Sequence, residues 1–87
     1  MKNIKMTKIE REMLGSIYVG TDKEMVKNRF SGKEIDLSPE AVAIYDVILG
    51  CEVTLTNSYD KSTEDLFYAA RDVFLKNWPD EYMTLVD

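Results

Sequence analysis

The side chains able to do chemistry in this 87-residue sequence are carboxylates, lysines, arginines and tyrosines, because histidine is absent and Cys51 is the only cysteine. Without histidine there is no imidazole acid or base, no Ser-His or Cys-His nucleophile and no histidine-bearing zinc site. The four glycines, Gly15, Gly20, Gly32 and Gly50, stand singly and match no glycine-rich phosphate loop. Carboxylates pair at Glu64-Asp65 and Asp80-Glu81. Adjacent helical residues point about a hundred degrees apart, so such pairs do not converge on one ion or substrate and read instead as first-turn helix acids. The expectation is a protein that is not an enzyme, with no catalytic residues, metal or cofactor.

Charge is divided unevenly along the chain. Residues 1–33 hold eight Lys/Arg against four Asp/Glu, a net of +4, and residues 34–87 hold three against twelve, a net of −9, which together make the overall −5. Acids spread over a small helical domain could imitate the phosphate rows of nucleic acid and enter a basic groove on a partner, such as a nucleic-acid-binding host protein. The plainer reading is a solvated surface. In the basic half, Lys23, Lys27 and Arg29 could meet phosphates if residues 8–19 and 22–30 formed a helix-turn-helix. The negative total charge and the shortness of the second segment argue against nucleic acid as the partner.

The elements that would position these groups follow from caps and periodicity. Thr7 and Glu10 have the spacing of a capping box, and Ile9, Met13 and Ile17 recur every four residues, which predicts a helix over 8–19 stopped by Gly20. Thr21-Asp22-Lys23-Glu24 repeats the cap and predicts a second helix over 22–30, ended by Gly32. Residues 33–37 alternate polar and apolar, as an extended segment does. Ser38-Pro39-Glu40 then opens a third helix with Ala41, Ile44, Tyr45 and Ile48 on one face. That helix either stops at Gly50, leaving an extended piece at 51–56, or runs on to Leu55. Continuation is favoured because Ile44, Ile48, Cys51 and Leu55 keep helical spacing, and it would carry Glu52 to the side of Ala41, Tyr45 and Ile48, making that acid a candidate hidden site. Asp60 or Ser62 caps a fourth helix over 63–77 whose core face holds Leu66, Phe67, Ala70, Val73 and Phe74. A short helical turn after Pro79 carries Tyr82, Met83, Leu85 and Val86. The fold expected is all-α or mainly α: a compact bundle of four helices plus that C-terminal turn, in one domain spanning 1–87.

On the fourth helix the wheel places Tyr68 and Leu75 opposite the core stripe, with Glu64 and Asp72 beside them. These four residues are the candidate partner-binding surface, facing either another protein or a second copy of the chain. No run approaches the roughly 18 apolar residues of a membrane span, no apolar signal segment follows Lys2 and Lys5, and one cysteine gives no disulfide framework. A soluble, cytoplasmic protein is expected.

The stretch from Leu37-Ser38-Pro39-Glu40 through Ile44-Tyr45-Asp46 and Ile48-Leu49-Gly50-Cys51-Glu52, with the ending Phe74-Leu75-Lys76-Asn77-Trp78-Pro79-Asp80-Glu81-Tyr82-Met83-Thr84-Leu85-Val86-Asp87, resembles small uncharacterised proteins encoded by bacteriophages. The resemblance covers about the C-terminal 50 residues and assigns no role to any of them. It implies a phage or prophage origin and, by association, an inhibitor of a host or viral protein acting in the bacterial cytoplasm. A helix-turn-helix DNA-binding regulator and a self-associating assembly component are the alternatives.

Overall fold

Four helix starts are signalled by caps in the sequence, and three of them form. Thr7 and Glu10 make a complete capping box, the Glu10 amide donating to Thr7 Oγ1 at 3.1 Å and the Thr7 amide to Glu10 Oε1 at 2.8 Å. Ser38 caps with Pro39 at the first helical position. Asp60 accepts from the Thr63 amide at 3.0 Å, and bonds from the Ser62 and Thr63 hydroxyls hold its carboxyl below the usual range. The computed structural model describes residues 4–28 and 30–85. Its element order is α1 (Lys8–Leu14), β1 (Glu24–Lys27), β2 (Glu34–Leu37), α2 (Pro39–Asn57), α3 (Lys61–Asn77) and α4 (Pro79–Leu85). The fold is thus mainly α with one small antiparallel sheet.

Two expected helices are corrected. The first ends at Leu14, five residues before the predicted stop at Val19; Gly15 is its C-cap, and the Gly15 amide still donates to Arg11 O at 2.8 Å. A Cβ on Gly15 would lie 2.5 Å from that same oxygen, so any other residue there forces the main chain of the turn to shift. The second expected helix, 22–30, does not exist. Glu24–Lys27 is a strand paired with Glu34–Leu37 in the register Glu24↔Leu37, Met25↔Asp36, Val26↔Ile35, Lys27↔Glu34. A helix of two and a half turns has little stability of its own, whereas the hairpin packs Val26, Ile35 and Leu37 against the core. Gly32, expected as a helix terminus, has the left-handed φ of 77° in the hairpin turn instead. The helix-turn-helix geometry falls with the second helix, and Val86 of the C-terminal turn lies outside the described residues.

Helix α2 runs through Gly50 to Asn57, so residues 51–56 are helical and the extended alternative is corrected. Ala41, Ile44, Ile48 and Cys51 stay on the buried face across the glycine; burial pushes the Cys51 thiol pKa up. Helices α2 and α3 form an antiparallel pair with the largest interface in the molecule, and α1, α4 and the hairpin close over it. Phe74 is fully buried at the centre, its ring 5.5 Å from Trp78, 5.9 Å from Tyr45 and 6.4 Å from Tyr82.

The N-terminal segment is fastened to α3 by polar groups. Lys76 Nζ lies 2.6 Å from Glu10 Oε1 and 3.1 Å from Asp72 Oδ2. Asn77 accepts from the Lys5 amide at 2.7 Å and donates to the Lys5 carbonyl at 2.8 Å. Glu10 is 7% exposed, and that burial by itself would raise its pKa. The Lys76 ammonium, hydrogen-bonded to Glu10 and shared with Asp72, together with the Thr7 amide, outweighs it and lowers Glu10 to about 2.

A folded-state pKa below the ordinary glutamate value of 4.5 means that Glu10 contributes stability above pH 4.5 and loses it as pH falls toward 2. Lys76→Met leaves a buried carboxylate without its cation and is expected to cost about 2–4 kcal/mol at pH 7. Urea unfolding as a function of pH should show the gap to the unmodified protein closing below pH 4.5; a gap that persists at pH 2 would mean that Lys76 acts only by packing.

The glycines of the two helices should respond oppositely. Gly15→Ala is expected to destabilise by about 1–3 kcal/mol, because its Cβ meets main chain. At Gly50 a Cβ meets nothing within 4 Å, and Gly50→Ala should stabilise by about 1 kcal/mol through helix propensity. Melting temperatures of the two variants decide both.

Candidate functional site

The hairpin reaches the helices through one buried side chain. Asn28 follows β1, is 5% exposed, and uses both ends of its amide. Its Oδ1 accepts from the Phe30 amide at 2.8 Å and the Ser31 amide at 3.1 Å, shaping the turn, while Nδ2 donates to the Thr84 carbonyl at 2.8 Å and the Leu85 carbonyl at 3.4 Å. The last carbonyls of α4, which have no partner within the helix, are thereby satisfied by the turn.

This docking leaves β1 and α2 separated by a pocket of about 410 Å³. From the hairpin it is lined by Glu24, Val26, Lys27, Asn28 and Phe30; α2 contributes Val42, Tyr45, Asp46, Ile48, Leu49 and Glu52, and Leu85 closes the end. The floor is apolar. Among the described lining residues the charges are three carboxylates, Glu24, Asp46 and Glu52, and one ammonium, Lys27. Near the mouth Phe30 is 88% exposed and Leu49 38%. Val53, one turn beyond Leu49 on α2, is also exposed, so apolar surface continues outward along the helix. A concavity whose lining is divided about evenly between apolar and polar groups can take a ligand that brings both.

Glu52 therefore arrives on the side of α2 expected for a continuous helix, but at the wall of an open pocket rather than in a sealed core. It is half-buried and faces solvent space. The candidates on α3 lie elsewhere. Glu64 accepts from the Tyr59 hydroxyl at 3.1 Å and lies 3.5 Å from Lys61, and Asp72 pairs with Lys76. Both carboxylates are thus engaged within the chain. Tyr68 is exposed, its ring edge-on to Phe67 at 5.5 Å, and Leu75 is exposed on the same side. Of the basic candidates, Lys23 precedes β1 and is exposed, Lys27 ends β1 opposite Glu34 and borders the pocket, and Arg29 lies outside the described residues.

The pocket residues from β1 went unrecognised in sequence because 22–30 carries a helix-like cap. A signal was present: an extended segment at 33–37 needs a strand to pair with, and Asn28 through Gly32 has turn composition between two short β-compatible runs. Among the described residues no cluster of three or more Cys, Asp or Glu side chains is arranged to hold a metal ion, and no helix is long and apolar enough to cross a membrane. Comparison with protein-family models, curated proteins and solved structures yields no match.

Asn28→Asp keeps the turn-shaping acceptor but sets a carboxylate against two carbonyls. It is expected to destabilise by about 2–3 kcal/mol at pH 7. Relative to the unmodified protein, the loss should shrink below about pH 4, where a protonated acid can donate again. Unfolding curves at the two pH values check this; equal losses at both would mean that the bonds to Thr84 and Leu85 do not hold the hairpin.

Proposed function

We propose that the protein works by binding a segment of another protein, without catalysis, in the groove between β1 and α2. The observation that carries the reading is the pocket itself, in which apolar groups of Val26, Val42 and Ile48 form the floor, Leu49 lies toward the mouth, and Asp46 and Glu52 bring carboxylates. Apolar side chains entering the floor would supply affinity, and the carboxylates would favour a segment that also carries lysine or arginine. A chain of net charge −5 has the same preference at long range. The resemblance of the C-terminal half to small phage-encoded proteins fits a role in which the partner is a basic host or viral protein whose activity is blocked on capture. The groove recruits different acids from those singled out on α3. The exposed pair Tyr68 and Leu75 supports a second reading, self-association through that helix face.

Two synthetic peptides of one composition, one quarter lysine, one quarter leucine and half threonine, test the groove. One repeats Lys-Thr-Leu-Thr, which alternates lysine and leucine along one face of an extended chain, and the other spaces leucine at helical period. At least one should shift the ¹⁵N–¹H resonances of Val26, Val42, Leu49 and Glu52, and a glutamate-leucine counterpart should not. Leu49→Ser with Asp46→Asn should weaken that binding at least tenfold, and Tyr68→Ser with Leu75→Ser should leave it unchanged. The reading is overturned if neither lysine peptide shifts the groove, or if the α3 pair governs binding or dimerisation.

A further inference from the structure

The hairpin register fixes which way the β1 main chain points. The Asn28 amide donates to the Lys33 carbonyl at 2.8 Å, which makes Asn28 and Lys33 a hydrogen-bonded pair at the end of the ladder. Bonded and non-bonded pairs alternate along an antiparallel ribbon. Val26↔Ile35 and Glu24↔Leu37 are then bonded pairs, so Val26 and Glu24 turn their amides and carbonyls toward β2. Met25 and Lys27 turn theirs the opposite way, to the edge that no third strand occupies among the described residues. Among the described residues, no main-chain hydrogen bond outside the helices and the hairpin ladder involves residues 24–27. The side chains of Glu24 and Val26 point to the helix side of the ribbon, where both line the pocket, and β2 contributes nothing to that lining. The pocket thus runs along the free edge of β1, with α2 as its other wall.

We propose that the occupant of this groove is an extended segment that adds to the free edge of β1 as a third strand. It places an apolar side chain between Val26 and Leu49, and a lysine or arginine two residues away against Asp46 and Glu52. The inference rests on the protein-binding reading above and names the geometry and chemistry of what is bound. An edge strand supplies amide and carbonyl groups at strand spacing, which an extended chain satisfies and a helix, whose own groups are already used, does not. Side chains of an added strand alternate between faces, so every second one enters the pocket and the intervening ones lie over the outer face beside Met25 and Lys27. Charge selects a basic partner over a second copy: a copy brings its own net −5 toward Glu24, Asp46 and Glu52. The strand is only four residues long and charged at both ends, so it rewards a matched segment and not indiscriminate pairing.

The test uses the alternating and the helical-period lysine-leucine peptides with the full chain, by fluorescence anisotropy. The alternating peptide should bind at least tenfold more tightly. Methylating two alternate amides of that peptide should abolish binding in one of the two possible phases and leave it nearly intact in the other. Lys27→Pro deletes an amide on the free edge without touching the β1–β2 ladder and should weaken binding at least tenfold, whereas Lys27→Ala should change it less than threefold. If Lys27→Pro unfolds the hairpin, the methylated peptides still decide the question. Equal or tighter binding of the helical-period peptide, or indifference to methylation in both phases, overturns the strand while leaving groove binding in place. Failure of both peptides to bind removes groove binding and the strand with it. A concentration-dependent dimer abolished by Lys27→Pro would show that a second copy takes the edge, and would also overturn the proposal.

Discussion

A two-stranded ribbon is marginal by itself in water, so the groove depends on whatever fastens the hairpin to the helices, and Asn28 supplies that fastening. Four hydrogen bonds radiate from its one amide, two into the turn and two to the end of α4. The same residue thus sets the turn that aligns β1 with β2 and anchors that turn 56 residues away in sequence. Val26, Ile35 and Leu37 add apolar burial to this polar pin. Among the described residues no buried side-chain polar atom lacks a partner, so these bonds replace those given up to water on burial.

The N-terminal segment is held in the same manner. Glu10 serves its own helix through the capping box and α3 through Lys76, while Asn77 binds both main-chain groups of Lys5. Arg71 donates to the Tyr82 hydroxyl at 2.7 Å and ties α3 to α4. A small chain has limited apolar surface to bury. Polar contacts between segments distant in sequence then decide where short elements sit, and each depends on partners being brought together by the α2–α3 pair.

The division of labour follows. The α2–α3 pair around Phe74 forms the platform, and the short elements arranged on it create the groove. Helix α2 belongs to both parts: Ala41, Ile44 and Ile48 face the core, while the adjacent stripe of Val42, Asp46, Leu49 and Glu52 lines the groove. A binding surface built on a core helix is held in place by the same packing that stabilises the fold.

Much of the helical architecture was legible in the sequence because its signals are local. Thr7 and Glu10 sit three apart, Ser38 precedes Pro39, and Ile44, Ile48 and Cys51 keep helical spacing across Gly50; each pattern acts within a few residues and formed as read. The exposure of Tyr68 and Leu75 followed from the same periodicity. Residues 22–30 were decided by tertiary structure. Their capping pattern permits a helix, yet pairing with 34–37 satisfies the main chain of both segments and buries Val26 beside Ile35, an advantage absent from either segment alone. The groove was hidden for the same reason. Glu24 and Val26 meet Asp46, Leu49 and Glu52 only once Asn28 has fastened the turn to α4, and a contact that exists only after distant elements dock leaves no periodicity in the chain.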